Sequence, residues 1–524
     1  MSTMVQCLRP PRPARLLHRS PARLQAVVAA LLCLLLAFGF LGTRGIWDPD
    51  EGRYTNVALT MLDSGDWLDL KRNEDTGHWT KPPATYWLIA GSIATFGRTP
   101  WAARLPIALS YLACVWLAWL CARRLARGTE STAAIVYATM LLPACASQLV
   151  TTDFPLAAMQ ALAMYGFVEY RFGNPERRAG WLLLMWAAFA AAFMIKGPPA
   201  LTALLAVAAL GILAPGRPLG WRWHVLGIAV FLLLALPWFV VVCMRHEGLA
   251  SYFVGAEVVD RVASDRFNRN GEWYGWLKIY GHTLVLGTLP WTAGLWRWIR
   301  SLSAGIRGWR GPAVRQRQAR ALLLALWIVL PLLVFCLARS RLPLYVLPLF
   351  VPIAIAIAAT RRASRQRLPR WPWMLLWVGL LLGLRVAAAG VSTHKDASAW
   401  AEAILARATG PVTEVIFVED MARYGLRLHL GAEVERVART PGQQSRFNPT
   451  YDEPLSNEIA ETGVEDGLVY VAKQSLWAEV EAAVEGYGYR ARPLGAPYRD
   501  RIIFEVVPPA AVPTISPDSA LSTP

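Results

Sequence analysis

Apolar residues run along this chain in long unbroken blocks, at about 26–43, 103–122, 131–149, 155–173, 179–195, 198–214, 223–243, 280–297, 321–338, 343–359 and 372–390. A helix crosses a bilayer with roughly 17 to 25 residues, so the blocks predict eleven membrane spans, the shorter ones completed by flanking aromatics. A twelfth apolar stretch, Pro82 to Phe96, breaks the alternation of loops described next if it is counted as a span. It is read as a helix lying at the outer interface.

Charge fixes the orientation. Numbering alternate loops as inside groups Arg9, Arg12, Arg15, Arg19 and Arg23 with Arg123, Arg124 and Arg127, then with Arg171, Arg177, Arg178, Arg217 and Arg222. The same side receives Arg297, Arg300, Arg307, Arg310, Arg315, Arg317, Arg320, Arg361, Arg362, Arg365, Arg367 and Arg370. Those 25 basic residues face three acids, Glu130, Glu169 and Glu176, which leaves 28 basic and 33 acidic residues for the rest of the chain. The net charge of +17 over 524 residues therefore comes from loops of one side, the signature of a cytoplasmic face rather than of a nucleic-acid partner. The N-terminus is expected inside and the C-terminus outside.

Four regions follow: a basic tail over 1–25, a transmembrane domain over 26–390 with long outer loops at 44–102 and 244–279, a soluble region over 391–508, and a tail over 509–524. The basic tail resembles the start of a signal peptide, but no small-residue cleavage site follows, so the first span is expected to stay as an anchor. In 391–508, helix-like stretches (395–409, 475–488) alternate with β-rich runs such as VTEVIFVED, GLVYVAKQ and RIIFEVV, which predicts a small α/β domain. The final tail, rich in Pro, Ser and Ala, is expected to be disordered. The fold class is a polytopic α-helical membrane protein of about eleven spans with interfacial helices in its outer loop and a small C-terminal α/β domain.

The seven cysteines (Cys7, Cys33, Cys114, Cys121, Cys145, Cys243, Cys336) lie in the tail, in spans or at span ends and suggest no disulfide framework. No glycine-rich phosphate loop and no metal-ligand spacing occurs, which argues against nucleotide-driven chemistry; no cofactor and no metal are predicted.

Candidate chemistry collects on the outer side. In GIWDPDEGRY, Asp48 suits an N-cap, Pro49 the first helical position and Glu51 the far end of a capping box, which leaves Asp50 as the better candidate for a functional carboxylate. Lys81 opens the interfacial helix in HWTKPP. A lysine there is often a headgroup anchor, but the chain's six lysines (Lys71, Lys81, Lys196, Lys278, Lys395, Lys473) all fall outside in a chain that otherwise prefers arginine. TTDFP and MIKGPP put Asp153 and Lys196 at outer span ends, where ordinary headgroup contact competes with function. SRSRLPLYVLPLF adds Arg339, Arg341 and Tyr345. The loop 244–279 reads as an amphipathic interfacial surface without a catalytic residue.

These motifs, WDPDEGRY, KPP before an interfacial helix, ARLP, TTDFP, KGPP, PWF and RLPLYVLP, occur in this order over roughly 26–360 and resemble the bacterial branch of the protein O-mannosyltransferase superfamily. These are GT-C glycosyltransferases that include the aminoarabinose transferases acting on lipid A. The resemblance implies a bacterial inner-membrane enzyme that moves a sugar, with inversion, from a polyprenyl-phosphate donor on the periplasmic side. The acceptor is a membrane partner: a lipid A-like lipid, a glycan or a protein. It further implies Asp50 as the essential carboxylate, Asp153 as a second one, Arg53, Lys81, Lys196 and Tyr345 around the donor phosphate, and Glu51 and Tyr54 in support.

Two positions depart from the aminoarabinose transferases. Thr80 stands where they carry Glu, and Val258 where they carry His; both family residues are associated with a metal ion, so none is expected here. The chain also ends after fewer spans and is expected to replace the remainder with its own C-terminal domain. The rival reading, a transporter or lipid flippase, calls for charges in mid-span, where Arg385 is the main one. A third, a non-catalytic scaffold, leaves Asp50, Lys81, Asp153 and Lys196 unexplained.

Overall fold

Blocks that are apolar on every face can exist only as helices packed in a core or facing lipid, because a helix alone satisfies its own backbone. The computed structural model, which describes residues 19–255, 269–391, 393–440, 442, 444–462 and 465–509, builds them so. The first part of the chain forms α1 (Arg19–Phe38), α2 (Asp50–Ser64), α3 (Ala84–Phe96), α4 (Pro100–Leu125), α5 (Glu130–Thr139) and α6 (Leu141–Ala146). Next come α7 (Asp153–Phe172), α8 (Arg178–Lys196), α9 (Leu204–Leu213), α10 (Trp221–Arg245) and α11 (Leu249–Val254). The second part forms α12 (His282–Gly287), α13 (Thr292–Gly308), α14 (Pro312–Arg317), α15 (Ala319–Leu337), α16 (Phe350–Ala363) and α17 (Trp371–Gly390).

Among the described residues, six helices are long and apolar enough to cross a membrane: Pro100–Leu125, Pro175–Lys196, Trp221–Arg245, Ala319–Leu337, Pro343–Ala363 and Trp371–Gly390. The other expected spans are shorter, broken or more charged. The first and sixth keep apolar helices at Val27–Phe38 and Pro198–Leu213. The block 131–149 divides at the extended residue Met140, and 155–173 forms a 20-residue helix that carries Asp153, Glu169 and Arg171. The block 280–297 parts between α12 and α13, where Pro290 lacks the N–H that a continuous helix needs.

The basic loops meet at one end of the bundle. Arg124 pairs with Glu169 at 2.9 Å, Arg171 donates to the carbonyl of Ala214 at 3.0 Å, Arg315 to that of Leu213 at 2.8 Å, and Arg362 to that of Arg127. Arg385 is buried in α17, and its guanidinium donates to the Gly39 and Ala144 carbonyls at 3.0 and 2.7 Å and to Ser147 Oγ at 3.1 Å. A mid-span charge satisfied by backbone oxygens is a staple between helices, not a transport path.

The region after α17 forms a six-stranded sheet in the order β3-β2-β1-β4-β6-β5. Its strands are β1 (Glu414–Val418), β2 (Glu433–Ala438), β3 (Glu453–Pro454), β4 (Leu468–Lys473), β5 (Arg490–Pro493) and β6 (Arg501–Val507). β1 runs parallel to β2 and β4, while β6 runs antiparallel to β4 and β5. Val415 and Phe417 enter one apolar cluster with Trp400 of α18 (Ala397–Leu405); Ile416 and Val418 enter another with Val480 and Val484. Alternate residues of β1 are thus buried on both faces, as a strand covered by helices requires.

This domain is seated on the outer loop. Ala397 N donates to the Ile46 carbonyl and Asp48 N to the Lys395 carbonyl, both at 2.9 Å. Arg72 pairs with Asp452 at 2.7 Å and Arg427 with Asp63 at 3.0 Å. Of the expected regions, residues 1–18 of the basic tail, residues 510–524 of the final tail, and Val258 in the second outer loop lie outside the described residues.

Candidate active site

The expected capping box at α2 is not formed. The helix begins at Asp50 with Pro49 at its cap and no side-chain cap, because Asp48 and Glu51 are engaged elsewhere. Glu51 turns inward: Arg44 approaches it at 2.8 Å and Arg104 at 3.1 Å, and the amides of Trp47 and Val150 each donate to it at 3.0 Å. Burial alone would raise its carboxyl, but Arg104 and Arg44 outweigh burial and hold it at about 2. Glu51 is therefore a structural joint between the outer loop, the start of α4 and the turn that leads to Asp153.

Asp48 faces the C-terminal domain. Both of its oxygens accept from the Gly425 amide at 3.3 Å, and burial pushes the carboxyl well above its usual range. That leaves Asp50 as the outward-facing carboxylate of the three, its side chain 61% exposed and paired with Arg53 one turn later at 2.6 Å.

The remaining candidates converge on this turn. The Tyr54 phenol lies within electrostatic range of Arg53, Asp50, Lys196 and Asp153, which brings the first turn of α2 beside the start of α7 and the end of α8. Lys196 is ion-paired with Asp153, each side chain 9% exposed, and its ammonium sits over the Tyr345 ring, 4.6 Å from the centroid. Lys81 donates to the Thr80 carbonyl at 2.6 Å. His78, buried beside Arg53, Arg72 and Lys81, is held neutral by burial and by those three cations.

Six predicted residues (Asp50, Arg53, Tyr54, Asp153, Lys196, Tyr345) thus share one neighbourhood, and Lys81 joins through His78 and Arg53. Glu51 supports the site as a scaffold rather than as an ionisable participant. Lys196 does not stand free, because Asp153 already neutralises it. Arg341 is a scaffold residue as well: it donates to the Asn270 and Glu272 carbonyls at 2.8 Å and to that of Cys336 at 3.0 Å. His78 and Arg104 were missed although HWTKPP and ARLP contain them, and Tyr424 has no local signal at all.

An exposed carboxylate flanked by ammonium and guanidinium groups can accept a proton from, or orient, a nucleophile while the cations stabilise a departing anion. The position beside Lys81 does not fit a divalent ion: the Thr80 hydroxyl bonds His78 Nε2 at 2.9 Å and supplies no carboxylate. Among the described residues, one group of three carboxylates gathers within 4.8 Å: Glu414, Glu435 and Glu458, on the C-terminal domain.

The sequence profile of the family described as dolichyl-phosphate-mannose-protein mannosyltransferase matches residues 80–240. An undecaprenyl phosphate-alpha-4-amino-4-deoxy-L-arabinose arabinosyl transferase of Pectobacterium carotovorum is 32% identical over 388 residues, 72% of this chain and 66% of the relative. A protein of the same name from Pseudomonas aeruginosa is 32% identical over 62% of this chain and 58% of its own length. The chain thus spans slightly less than two thirds of these relatives.

The crystal structure of ArnT from Cupriavidus metallidurans in the apo state superposes with a TM-score of 0.73 at 20% identity, over 92% of this chain and 98% of that one. The structure of the same protein bound to undecaprenyl phosphate gives 0.72. Coverage this wide takes in the C-terminal domain, so that domain belongs to the shared fold and does not replace other parts of it, as the sequence had suggested. With the profile, the relatives and the fold in agreement, the chain belongs to the GT-C glycosyltransferase superfamily of the protein mannosyltransferases and aminoarabinose transferases.

Proposed function

We propose that this protein transfers a sugar from a polyprenyl-phosphate donor to a membrane acceptor, on the side of the bilayer opposite its basic loops. The observation that carries the reading is the isolation of Asp50. Of three adjacent carboxylates it alone faces outward, at a turn shared with Arg53, Tyr54 and Lys196. Asp50 is the carboxylate that handles the acceptor, and Asp153 supports it through Lys196. Arg53, Lys81, Lys196 and Tyr345 surround the donor phosphate, whose charge grows as the glycosidic bond breaks and needs fixed cations in place. The relatives named as undecaprenyl-phosphate aminoarabinose transferases support this donor class; the acceptor is a lipid A-like lipid, a glycan or a protein.

The working side follows from the basic loops gathered at the other end of the bundle: the N-terminus is cytoplasmic, and the C-terminal domain of 391–508 is periplasmic, in a bacterial inner membrane. Reporters fused after Lys196 and after Gly390 should read outside, and those after Arg127 and Arg310 inside. Mass spectrometry of envelope lipids and glycans from cells with and without the protein tests the activity. A sugar modification that depends on the gene and disappears in Asp50→Asn supports it; identical profiles with and without the protein refute it.

A further inference from the structure

The outer loop and the C-terminal domain meet where α2 begins. Asp48, two residues before Asp50, places its buried carboxyl on the Gly425 amide, 3.3 Å from each oxygen. The socket is built for close approach. A side chain at Gly425 would bring its Cβ to 2.7 Å from Ala397 Cβ, 2.9 Å from Ile46 Cγ2 and 3.0 Å from Asp48 Oδ2. On the facing side, a Cβ at Gly52 of α2 would collide with the Asp48 carboxylate and approach the Gly425 amide at 2.6 Å. Two glycines and a carboxylate thus let one backbone segment touch another, which neither would permit with a methyl group.

The socket is itself rigid. Arg423, wholly buried, donates to the His394 carbonyl at 3.2 Å, pairs with Asp420 at 3.1 Å and stacks on Trp400 at 4.0 Å. Arg501 holds the same Asp420 at 2.9 Å. Tyr424, also buried, lies within electrostatic range of Arg53 and Arg72.

We infer that the segment 420–427 of the C-terminal domain is a positioning element of the transfer site: by seating Asp48 it fixes the first turn of α2, and with it the placement of Asp50 and Arg53. The proposal rests on the transferase reading above. Asp48 is a positioning residue and takes no part in proton transfer, so an asparagine, which keeps an acceptor oxygen for the Gly425 amide, replaces it. Alanine does not, and a methyl at Gly425 opens the contact from the other side. Displacement of a reacting carboxylate by a fraction of an ångström lowers turnover steeply, whereas Lys81 and Lys196, held by other elements, keep the donor bound.

The test uses the full chain in detergent and two measurements on wild type, Asp48→Asn, Asp48→Ala and Gly425→Ala. The first is transfer from a purified polyprenyl-phosphate sugar. Expected are kcat losses of about tenfold or more in Asp48→Ala and Gly425→Ala, with a smaller rise in donor KM through Arg53, and near wild-type rates in Asp48→Asn. The second is hydrogen exchange of amides 50–56, which needs no activity and is expected to quicken in the two damaging variants and not in Asp48→Asn. Unchanged kcat and unchanged exchange in folded Asp48→Ala and Gly425→Ala overturn the proposal, as does Asp48→Asn as inactive as Asp48→Ala. If wild type transfers nothing from any polyprenyl-phosphate sugar, the transferase reading falls by itself. The exchange of residues 50–56 then still decides whether this segment holds the turn.

Discussion

Glu51 and Arg104 form a two-point contact, with both nitrogens at 3.1 Å from the carboxylate oxygens and side chains 4% and 1% exposed. The same guanidinium donates to the carbonyls of Leu41, Arg44 and Gly45 at 3.2, 2.6 and 2.8 Å, so the pair closes the outer loop onto the start of α4. Because Glu51 also accepts from Val150, three residues before Asp153, it sets the separation of the two proposed catalytic carboxylates.

Glu51→Gln should therefore fail by folding. It removes the carboxylate that the buried Arg44 and Arg104 both contact, and breaking such a pair costs about 3–5 kcal/mol. The expected result is a large loss of folded, detergent-soluble protein and of Tm. The pH dependence has a defined sign: the folded carboxyl lies at about 2 against 4.5 unfolded. Its stabilisation is complete above the unfolded value and lost as pH falls from there towards the folded one. Thermal unfolding of wild type between pH 6 and pH 3 reads this loss.

Asp50→Asn should do the opposite. Its ion pair with Arg53 is largely exposed, and pairs of that kind add roughly 0–1 kcal/mol, so the variant should fold and insert like wild type. Transfer should be abolished because the outward carboxylate has gone. Folding loss comparable to that of Glu51→Gln would return Asp50 to a structural role.

The contrast between these neighbours shows where sequence reasoning stops. Apolar helices, among them the one after KPP, and the strands VTEVIFVED, GLVYVAKQ and RIIFEVV are legible because hydropathy and alternation are local patterns. The capping box proposed for Asp48 and Glu51 rested on equally local spacing, yet Glu51 meets Arg104 53 residues away and Asp48 meets Gly425 377 residues away. No spacing rule sees partners at that separation. β2 is hidden for a related reason: in EVERVA the adjacent charges Glu435 and Arg436 break the alternation, and their partners, Asn73 and the Asp420 carbonyl, appear only in the fold. Asp50 stood out by exclusion, although the exclusion was made on a box that does not form.

The acidic group on the C-terminal sheet predicts a second pH effect of opposite sign. Burial first, and then neighbouring carboxylates, push Glu435 and Glu458 far above the carboxylate range and Glu414 to about 7. The folded state then holds more protons than the unfolded one, so this contribution is intact below the unfolded value of 4.5 and is lost as pH rises through neutrality. Glu458→Gln removes the group that must stay protonated. Thermal melts of the full chain at pH 8 should show a higher Tm than wild type, with little difference at pH 5. Equal shifts at both pH values would discard this account.

The donor phosphate gives the final prediction, in which the Lys196–Asp153 pair changes what a simple charge deletion should do. Lys81→Met and Lys196→Met each remove one cation from the proposed leaving-group site, and a charge-assisted contact contributes about 1.5–3 kcal/mol. Each should therefore lose roughly tenfold or more in transfer from a purified polyprenyl-phosphate sugar in detergent. The double variant should lose less than the product of the two, because groups that share one ligand charge are coupled. Lys196→Met has a second cost, since it strands Asp153 among side chains that offer it no other cation at contact distance among the described residues. Adding Asp153→Asn should restore stability without restoring rate, which separates the folding effect from the chemical one. Lys81 donates to the Thr80 carbonyl just before α3, and Lys81→Met is expected to lose rate in the same assay. Wild-type rates in both Lys→Met variants would remove the phosphate from this site and leave the two lysines as an anchor and a helix staple.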